Sequence, residues 1–124
     1  MRQVPQHRWN VPEALASAVF HGNDPEEIGL PLAAYREEFQ DLSPVFEGLQ
    51  RKSPSVAVLD PTDLFVNASG RCRVAKDRTA LYCDSNHLTV AGSMVLRPLF
   101  EPIIRGIRKS TSRLDGGESI IGQN

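Results

Sequence analysis

A short apolar run at residues 55–60, Ser-Val-Ala-Val-Leu-Asp, constrains the fold of this 124-residue chain more than any other segment. Its β-branched residues and its abrupt end at Asp60-Pro61 predict a buried strand of a parallel sheet. Helical patterns precede and follow it, which favours an α/β fold. A parallel strand needs parallel neighbours, and no other segment supplies them. We therefore predict an α/β sheet that lacks its first strands.

Apolar spacing and capping residues predict helices in three segments: Val11–Phe20, Pro31–Gln50 and Val90–Ile107. The first has Pro12 at its start and Asn10 as a possible cap. In the second, Pro44 should kink or divide the helix, because proline lacks the N–H that helices need. Thr89 can cap the third.

Two short segments, 71–75 and 79–83, indicate a β-hairpin around a turn at Asp77-Arg78. With the turn centred there, Cys72 lies directly opposite Cys83, so a cross-strand disulfide is geometrically possible. Two reduced, partly buried thiols are the alternative. We expect the disulfide if the domain is exported, because disulfides persist in oxidising compartments.

Composition narrows the function classes. The formal net charge is -1, so no global field favours nucleic acid as a partner. No apolar stretch approaches the ~20 residues that span a bilayer, and the N-terminus has no apolar signal core. Taken alone, the chain has the features of a cytoplasmic protein. The polar, glycine-containing segment 109–124 is predicted to be a disordered tail after a domain at residues 1–108.

The strongest chemical signal is the sequence Asp-Ser-Asn-His-Leu-Thr at residues 84–89. A carboxylate three residues before a histidine can accept the Nδ1 proton of the imidazole and leave Nε2 free to take a proton. Asp84 and His87 are therefore candidates for the base half of a catalytic triad. The plain alternative is an aspartate that caps the next helix beside a surface histidine.

The stretch from Tyr82 to Ser93 resembles the final block of SGNH hydrolases, in which an Asp-x-x-His is followed by Leu-Ser and a glycine. It is most similar to the SGNH domains at the C-terminus of membrane O-acyltransferases that acylate cell-surface polysaccharides. The resemblance covers roughly residues 4–106. Further matching positions occur in the same order as in that family: Val4-Pro5, Val11-Pro12, Asp60-Pro61 and Cys72.

This resemblance implies a flavodoxin-like three-layer fold and an acyl-transfer reaction. His87 would be the general base, and Asp84 would orient it. The implied substrates are acyl esters or carbohydrates, no cofactor is implied, and the implied location is periplasmic or extracytoplasmic. Contact with a membrane would come only through segments outside this chain.

The chain also departs from the pattern of the family. Thr89 stands in place of the usual serine, Ser93 in place of alanine, and Phe65 in place of a cysteine. With that cysteine replaced, Cys72 pairs with Cys83 or with nothing. The Gly-Asp-Ser nucleophile block and the oxyanion-hole glycine and asparagine blocks are absent. We expect them upstream of residue 1, and we expect this chain to be inactive alone.

Three alternatives remain open at this point. Ser69 could replace the missing serine, although it lacks the strand-to-helix turn of a nucleophile elbow. Cys72, Cys83 and His87 could bind a metal, although their spacing is not that of a standard zinc site. The chain could also be an inactive remnant or an interaction module. His7 is predicted to be an ordinary surface or helix-end histidine.

Overall fold

The structure, a computed structural model, describes the backbone of residues 1–115 and the side chains of residues 1–109. Within these residues there are five α-helices: α1 (Val11–Phe20), α2 (Leu32–Phe39), α3 (Ser43–Lys52), α4 (Val90–Val95) and α5 (Arg97–Asp115). The strands β1 (Ala75–Lys76) and β2 (Thr79–Ala80) form a two-stranded sheet. This mixture of helices and a small sheet is consistent with the predicted α/β class.

The first helices match their sequence signals. The Asn10 side chain accepts a hydrogen bond from the Glu13 N–H at 3.1 Å, which caps α1 as predicted. The predicted Pro31–Gln50 helix is divided: α2 ends at Phe39, and a 3₁₀ turn leads into α3. Pro44 lies in the first turn of α3, where its missing N–H costs nothing.

The prediction of a buried parallel strand at residues 55–60 is wrong for this chain. The segment forms no strand ladder within the described residues, and the Val56 side chain is 42% exposed. Its one backbone hydrogen bond to a distant residue runs from the Arg2 N–H to the Leu59 carbonyl oxygen, at 2.8 Å. A strand requires neighbours along its length to satisfy its backbone groups, and the described residues supply only the Arg2 N–H.

The hairpin has the predicted turn. Asp77 and Arg78 have positive φ values of 49° and 63°, as a two-residue type I′ turn requires. The paired residues of β1 and β2 are Ala75 with Ala80 and Lys76 with Thr79. Beyond the hydrogen bond from the Leu81 N–H to the Val74 carbonyl, the two segments of the hairpin separate, and their backbone groups bond to other residues.

The cysteines are not bridged, so the conditional expectation of a disulfide is not realised here. Cys72 is buried and free, and Cys83 is exposed and free. The Cys72 N–H donates to the Leu30 carbonyl at 2.7 Å, whereas the Cys83 N–H donates to the His87 carbonyl at 2.8 Å. These different partners draw the two thiols apart.

Two buried clusters form the core. The larger one lies between α1, the hairpin and α4, and its buried members are Val11, Phe65, Val74, Leu81, Tyr82 and Leu96. The smaller one contains Leu30, Tyr35 and Cys72. Because both clusters use residues around the hairpin, they hold the segment that leads into the Asp84 loop in a fixed position.

The C-terminal helices extend further than predicted. Thr89 caps α4 through its side-chain oxygen, which accepts from the Gly92 N–H at 3.0 Å. Helix α5 then runs to Asp115, so residues 109–115 of the predicted disordered tail are helical. The remainder of that tail, residues 116–124, lies outside the described residues. None of the helices in the described part has the length and apolar character needed to cross a bilayer.

Candidate functional site

The Asp84 loop is a tight reversal between the hairpin and α4. Its two ends are joined by an antiparallel bridge between Tyr82 and Leu88. The Thr89 N–H donates to the Leu81 carbonyl at 2.9 Å, and the Thr89 hydroxyl donates to the Ala80 carbonyl at 2.8 Å. Because these bonds close the loop at its base, its tip has little freedom to change shape.

Asp84 organises the tip of this loop. Its Oδ1 atom accepts hydrogen bonds from the backbone N–H groups of Asn86 and His87, each at 2.8 Å. Its Oδ2 atom lies 2.7 Å from the His87 Nδ1. The two backbone N–H donors and then the imidazole lower the pKa of Asp84 to about 2. Asp84 is therefore a carboxylate at neutral pH.

The charge of Asp84 determines the tautomer of His87. A carboxylate can only accept a hydrogen bond, so the His87 Nδ1 must be the donor across the 2.7 Å contact. A neutral His87 then carries its proton on Nδ1 and a lone pair on Nε2. The His87 side chain is 75% exposed, which leaves Nε2 open to a reacting group. The sequence-predicted pair is thus brought together in the geometry of a base and its orienting carboxylate.

The N-terminal segment, residues 5–11, is hydrogen-bonded to the other side of the loop. The His7 N–H donates to the Ser85 carbonyl at 2.8 Å, and the Val11 N–H donates to the Asp84 carbonyl at 3.3 Å. The hydroxyl of the buried Tyr82 donates to the Pro5 carbonyl at 2.8 Å. The backbone of the dyad is therefore tied to a segment more than 70 residues away in the sequence.

His7, which belongs to this N-terminal segment, has a buried side chain, and this corrects the expectation of a surface or helix-end histidine. Burial lowers its pKa from 6.5 to about 4, so its ring is neutral at pH 7. The ring packs edge-on against Tyr82, with 4.8 Å between the ring centroids. Its Nδ1 accepts from the Leu30 N–H at 3.4 Å. The sequence carried no local signal for this role, because the burial depends on residues 23 and 75 positions away.

The described residues offer no nucleophile to His87. No described side chain forms a hydrogen bond with its Nε2. Ser69 lies in a turn, where its Oγ is 2.8 Å from both the Glu27 and Asn67 side-chain oxygens. The Ser69 hydroxyl therefore bonds within this turn and makes no hydrogen bond with His87.

The metal alternative also gains no geometric support. Within the part of the chain that the structure describes, no group of three or more His, Cys, Asp or Glu side chains could hold a metal ion. Cys72 lies in the core, where burial raises the pKa of its thiol to about 11. The Cys83 thiol instead donates to the Leu88 carbonyl at 3.4 Å.

The dyad lies on open surface rather than in a cleft. A cavity of about 460 Å³ lies between α2, α3 and residues 60–63, and neither Asp84 nor His87 lines it. A reacting serine and the donors that stabilise an oxyanion would have to come from outside the described residues.

Comparison with known proteins places this chain in a family. Residues 1–102 match the family described as "SGNH domain (fused to AT3 domains)". No curated protein and no solved structure matches the chain. The match covers most of the chain and includes the hairpin, the Asp84 loop and α4. The chain therefore belongs to the family of SGNH domains that occur fused to AT3 domains.

Proposed function

We propose that this chain is the C-terminal, base-bearing part of an SGNH-type O-acyltransferase or esterase domain. The observation that carries the proposal is the 2.7 Å contact between the Asp84 carboxylate and the His87 Nδ1, with the His87 Nε2 exposed. Membership of the SGNH family supports the acyl-transfer class. The three-layer sheet of such a domain would be completed by strands outside these residues.

In the proposed reaction, His87 acts as a general base. Its Nε2 takes the proton of a serine hydroxyl as the serine oxygen attacks the acyl carbonyl. Asp84 holds the ring orientation and stabilises the imidazolium that forms. The protonated His87 then gives its proton to the leaving alkoxide. The acyl group is then an ester of the serine; the oxygen of water or of a sugar hydroxyl attacks it and gives its proton to His87, which returns that proton to the serine oxygen as the ester bond breaks. Water as acceptor makes an esterase, and a sugar hydroxyl makes a transferase.

The serine and the oxyanion donors are proposed to come from polypeptide outside the 124 residues. The proposed substrates are acyl esters and the hydroxyl groups of a carbohydrate. An extracytoplasmic location is part of the same proposal, since family members that modify cell-surface polysaccharides act there. No cofactor has a role in this reaction, because proton transfer and acyl transfer to serine need none.

The test uses the protein as its gene encodes it, with hydrolysis of p-nitrophenyl acetate and acetyl transfer to an oligosaccharide as two readouts. His87→Ala should lower kcat/KM at least ~10³-fold, because a triad without its base loses most of its rate. His21→Ala is the matched control. His21 is an exposed histidine that interacts with Ser17 in α1, and its loss should leave both rates unchanged. Full activity in His87→Ala would overturn the proposal.

Asp84 needs a separate readout, because it would be a positioning residue. Asp84→Asn keeps the side-chain shape but removes the charge that fixes the His87 tautomer. We expect kcat to fall by ~10²–10⁴-fold with little change in KM, since ground-state binding of the ester does not use this group. A fall in kcat that is accompanied by a fall in the melting temperature of the chain would instead indicate a merely structural role.

A further inference from the structure

A bend in the N-terminal segment lies directly beside the Asp84 loop. The His7 N–H donates to the Ser85 carbonyl, and the Val11 N–H donates to the Asp84 carbonyl. These two donors are four positions apart in the sequence, whereas their acceptors are adjacent residues. Residues 8–10 must therefore bend away from the loop, and the chain does bend at residues 8 and 9. The two hydrogen bonds hold this bend in place next to the Asp84–His87 pair.

Of the three residues in the bend, Arg8 is the one whose side chain makes no contact with the rest of the fold. The Asn10 side chain accepts from the Glu13 N–H and caps α1. The Trp9 ring packs against the smaller buried cluster. Arg8 is exposed, and its guanidinium makes no hydrogen bond or ion pair with any residue that the structure describes. The cation is therefore fixed in place by its backbone and free at its end.

A free guanidinium in this position suits an anionic group of a substrate. Arginine presents planar, charged N–H donors that match the oxygens of a carboxylate. An ester that reacts beside the His87 Nε2 extends its acyl chain and its alcohol over the surrounding surface, which includes the bend. The negative charge of Asp84 is already hydrogen-bonded to the Asn86 and His87 N–H groups and to the His87 Nδ1. Arg8 thus has no ion-pair partner in the loop and is available to the substrate.

We propose that Arg8 is a specificity-determining residue that binds a carboxylate of the substrate beside the reacting ester. This inference rests on the proposed function and adds a preferred class of substrate, an acyl ester with a carboxylate on its acyl or its alcohol side. Two other arginines of the described chain are already paired. Arg71 lies 3.5 Å from Glu27, and Arg2 lies 3.8 Å from Asp60. Neither belongs to the segment that is bonded to the Asp84 loop.

The test compares esters that differ by one negative charge, in the protein as its gene encodes it. 4-Acetoxybenzoate carries a carboxylate on its alcohol side, and p-nitrophenyl hemisuccinate carries one on its acyl side. The methyl ester of each carboxylate is the neutral match. Arg8→Gln should lower kcat/KM at least ~5-fold for the anionic member of one pair, mainly through KM, because the contact forms equally in the ground and transition states. The pair that responds identifies the side of the ester that carries the charge.

Two further variants test the sign and the location of the charge. Arg8→Glu should lower the ratio of anionic to neutral kcat/KM below that of Arg8→Gln, because like charges repel. Arg51→Gln is the matched control: Arg51 is exposed on α3, where its Nε donates to the Glu47 carbonyl at 3.4 Å. This control should leave both ratios unchanged. All three variants should keep the melting temperature of the parent, since Arg8 contacts no other described side chain.

The outcomes separate this inference from the proposed function. Ratios that are the same in the parent, Arg8→Gln and Arg8→Glu would overturn the role of Arg8 and leave the acyl-transfer proposal standing. An equal loss for the anionic and the neutral esters would also overturn it, because Arg8 would then not read the charge. The absence of any hydrolysis that depends on His87 would remove the proposed function and this inference together.

Ionic strength gives a second measurement of the same contact. Salt screens exposed charges, so the preference of the parent for the anionic ester should shrink between about 0.01 M and about 1 M sodium chloride. The ratio for Arg8→Gln should change much less, because its side chain is neutral. An equal dependence on salt in the parent and in Arg8→Gln would contradict an ion pair between Arg8 and the substrate.

Discussion

The Asp84 loop and the segment at residues 55–60 carry equally clear sequence signals, yet only the loop has the structure that its sequence predicts. The loop closes on itself through Asp84, whose oxygens accept from Asn86 and His87. The 55–60 segment has one backbone hydrogen bond to a distant residue, from Arg2 to Leu59, and one local bond, from Val56 to Ser53, and the Val56 side chain is exposed.

This difference shows what each element needs from the rest of the molecule. An Asp-x-x-His turn satisfies its polar groups within four residues, so it forms wherever its two ends are held. A parallel strand satisfies none of its own groups and requires neighbours on both edges. The loop is therefore complete in this chain, whereas the strand signal calls for neighbouring strands that the described residues do not supply.

The largest expected effect comes from substitution of Gly92, at which α4 packs closely against the hairpin. In Gly92→Ala, the new Cβ would overlap the Leu81 carbonyl oxygen and lie 3.1 Å from the Leu88 Cδ2. The Leu81 carbonyl cannot move away without breaking its hydrogen bond with the Thr89 N–H, which closes the base of the loop. We therefore expect a loss of at least ~3 kcal/mol in the free energy of unfolding. Urea denaturation followed by circular dichroism measures this.

Gly48→Ala is the matched control in α3. A Cβ at Gly48 meets nothing within 4 Å, and alanine favours helix over glycine. We expect this variant to gain ~0.5–1 kcal/mol. Equal stability changes for the two glycine variants would show that the loop region is no more constrained than the α3 region.

The next effect is a pH dependence centred on His7. The ring binds a proton near pH 6.5 when the chain is unfolded and only near pH 4 when it is buried. Between these values the unfolded state holds more protons, so the free energy of unfolding falls as pH falls. The loss by pH 4 should be about 2–3 kcal/mol.

His7→Leu should flatten that dependence, because leucine does not titrate, although the Leu30 N–H then loses its acceptor. The exposed His21→Ala should leave the slope unchanged. Denaturation at pH 7, 5.5 and 4.5 supplies the three points. If the free energy of unfolding of His7→Leu depends on pH as steeply as that of the parent chain, then His7 does not control the stability of the chain in acid.

Much of the fold and the site was predictable, because many of its signals are local. Asn10, Pro44 and Thr89 act on backbone within a few residues, and the predicted helix start, division and cap are all observed. The type I′ turn at Asp77-Arg78 is local in the same sense. The contact between Asp84 and His87 could be predicted for this reason.

The unpredicted features depend on distant partners. The burial of His7 rests on Leu30 and Tyr82, and the separation of Cys72 from Cys83 rests on the competing partners Leu30 and His87. The predicted helix over Val90–Ile107 ends before α5 does, because the residues from Lys109 onward are polar and glycine-containing and indicated a disordered tail. Polar residues can nevertheless continue a helix, and α5 runs to Asp115.

The smallest expected effect measures the 55–60 segment directly. Val74 is fully buried, so Val74→Ala should cost about 2 kcal/mol for the lost methyl groups and the cavity. Val56 is 42% exposed, so Val56→Ala should change the free energy of unfolding by less than ~0.5 kcal/mol in this chain. The same pair of variants in the gene-encoded protein sharpens the comparison. If other polypeptide completes the strand, Val56→Ala should there approach the cost of Val74→Ala. An equally small effect in both settings would mean that residues 55–60 remain unpaired, and the strand signal would then have no structural counterpart.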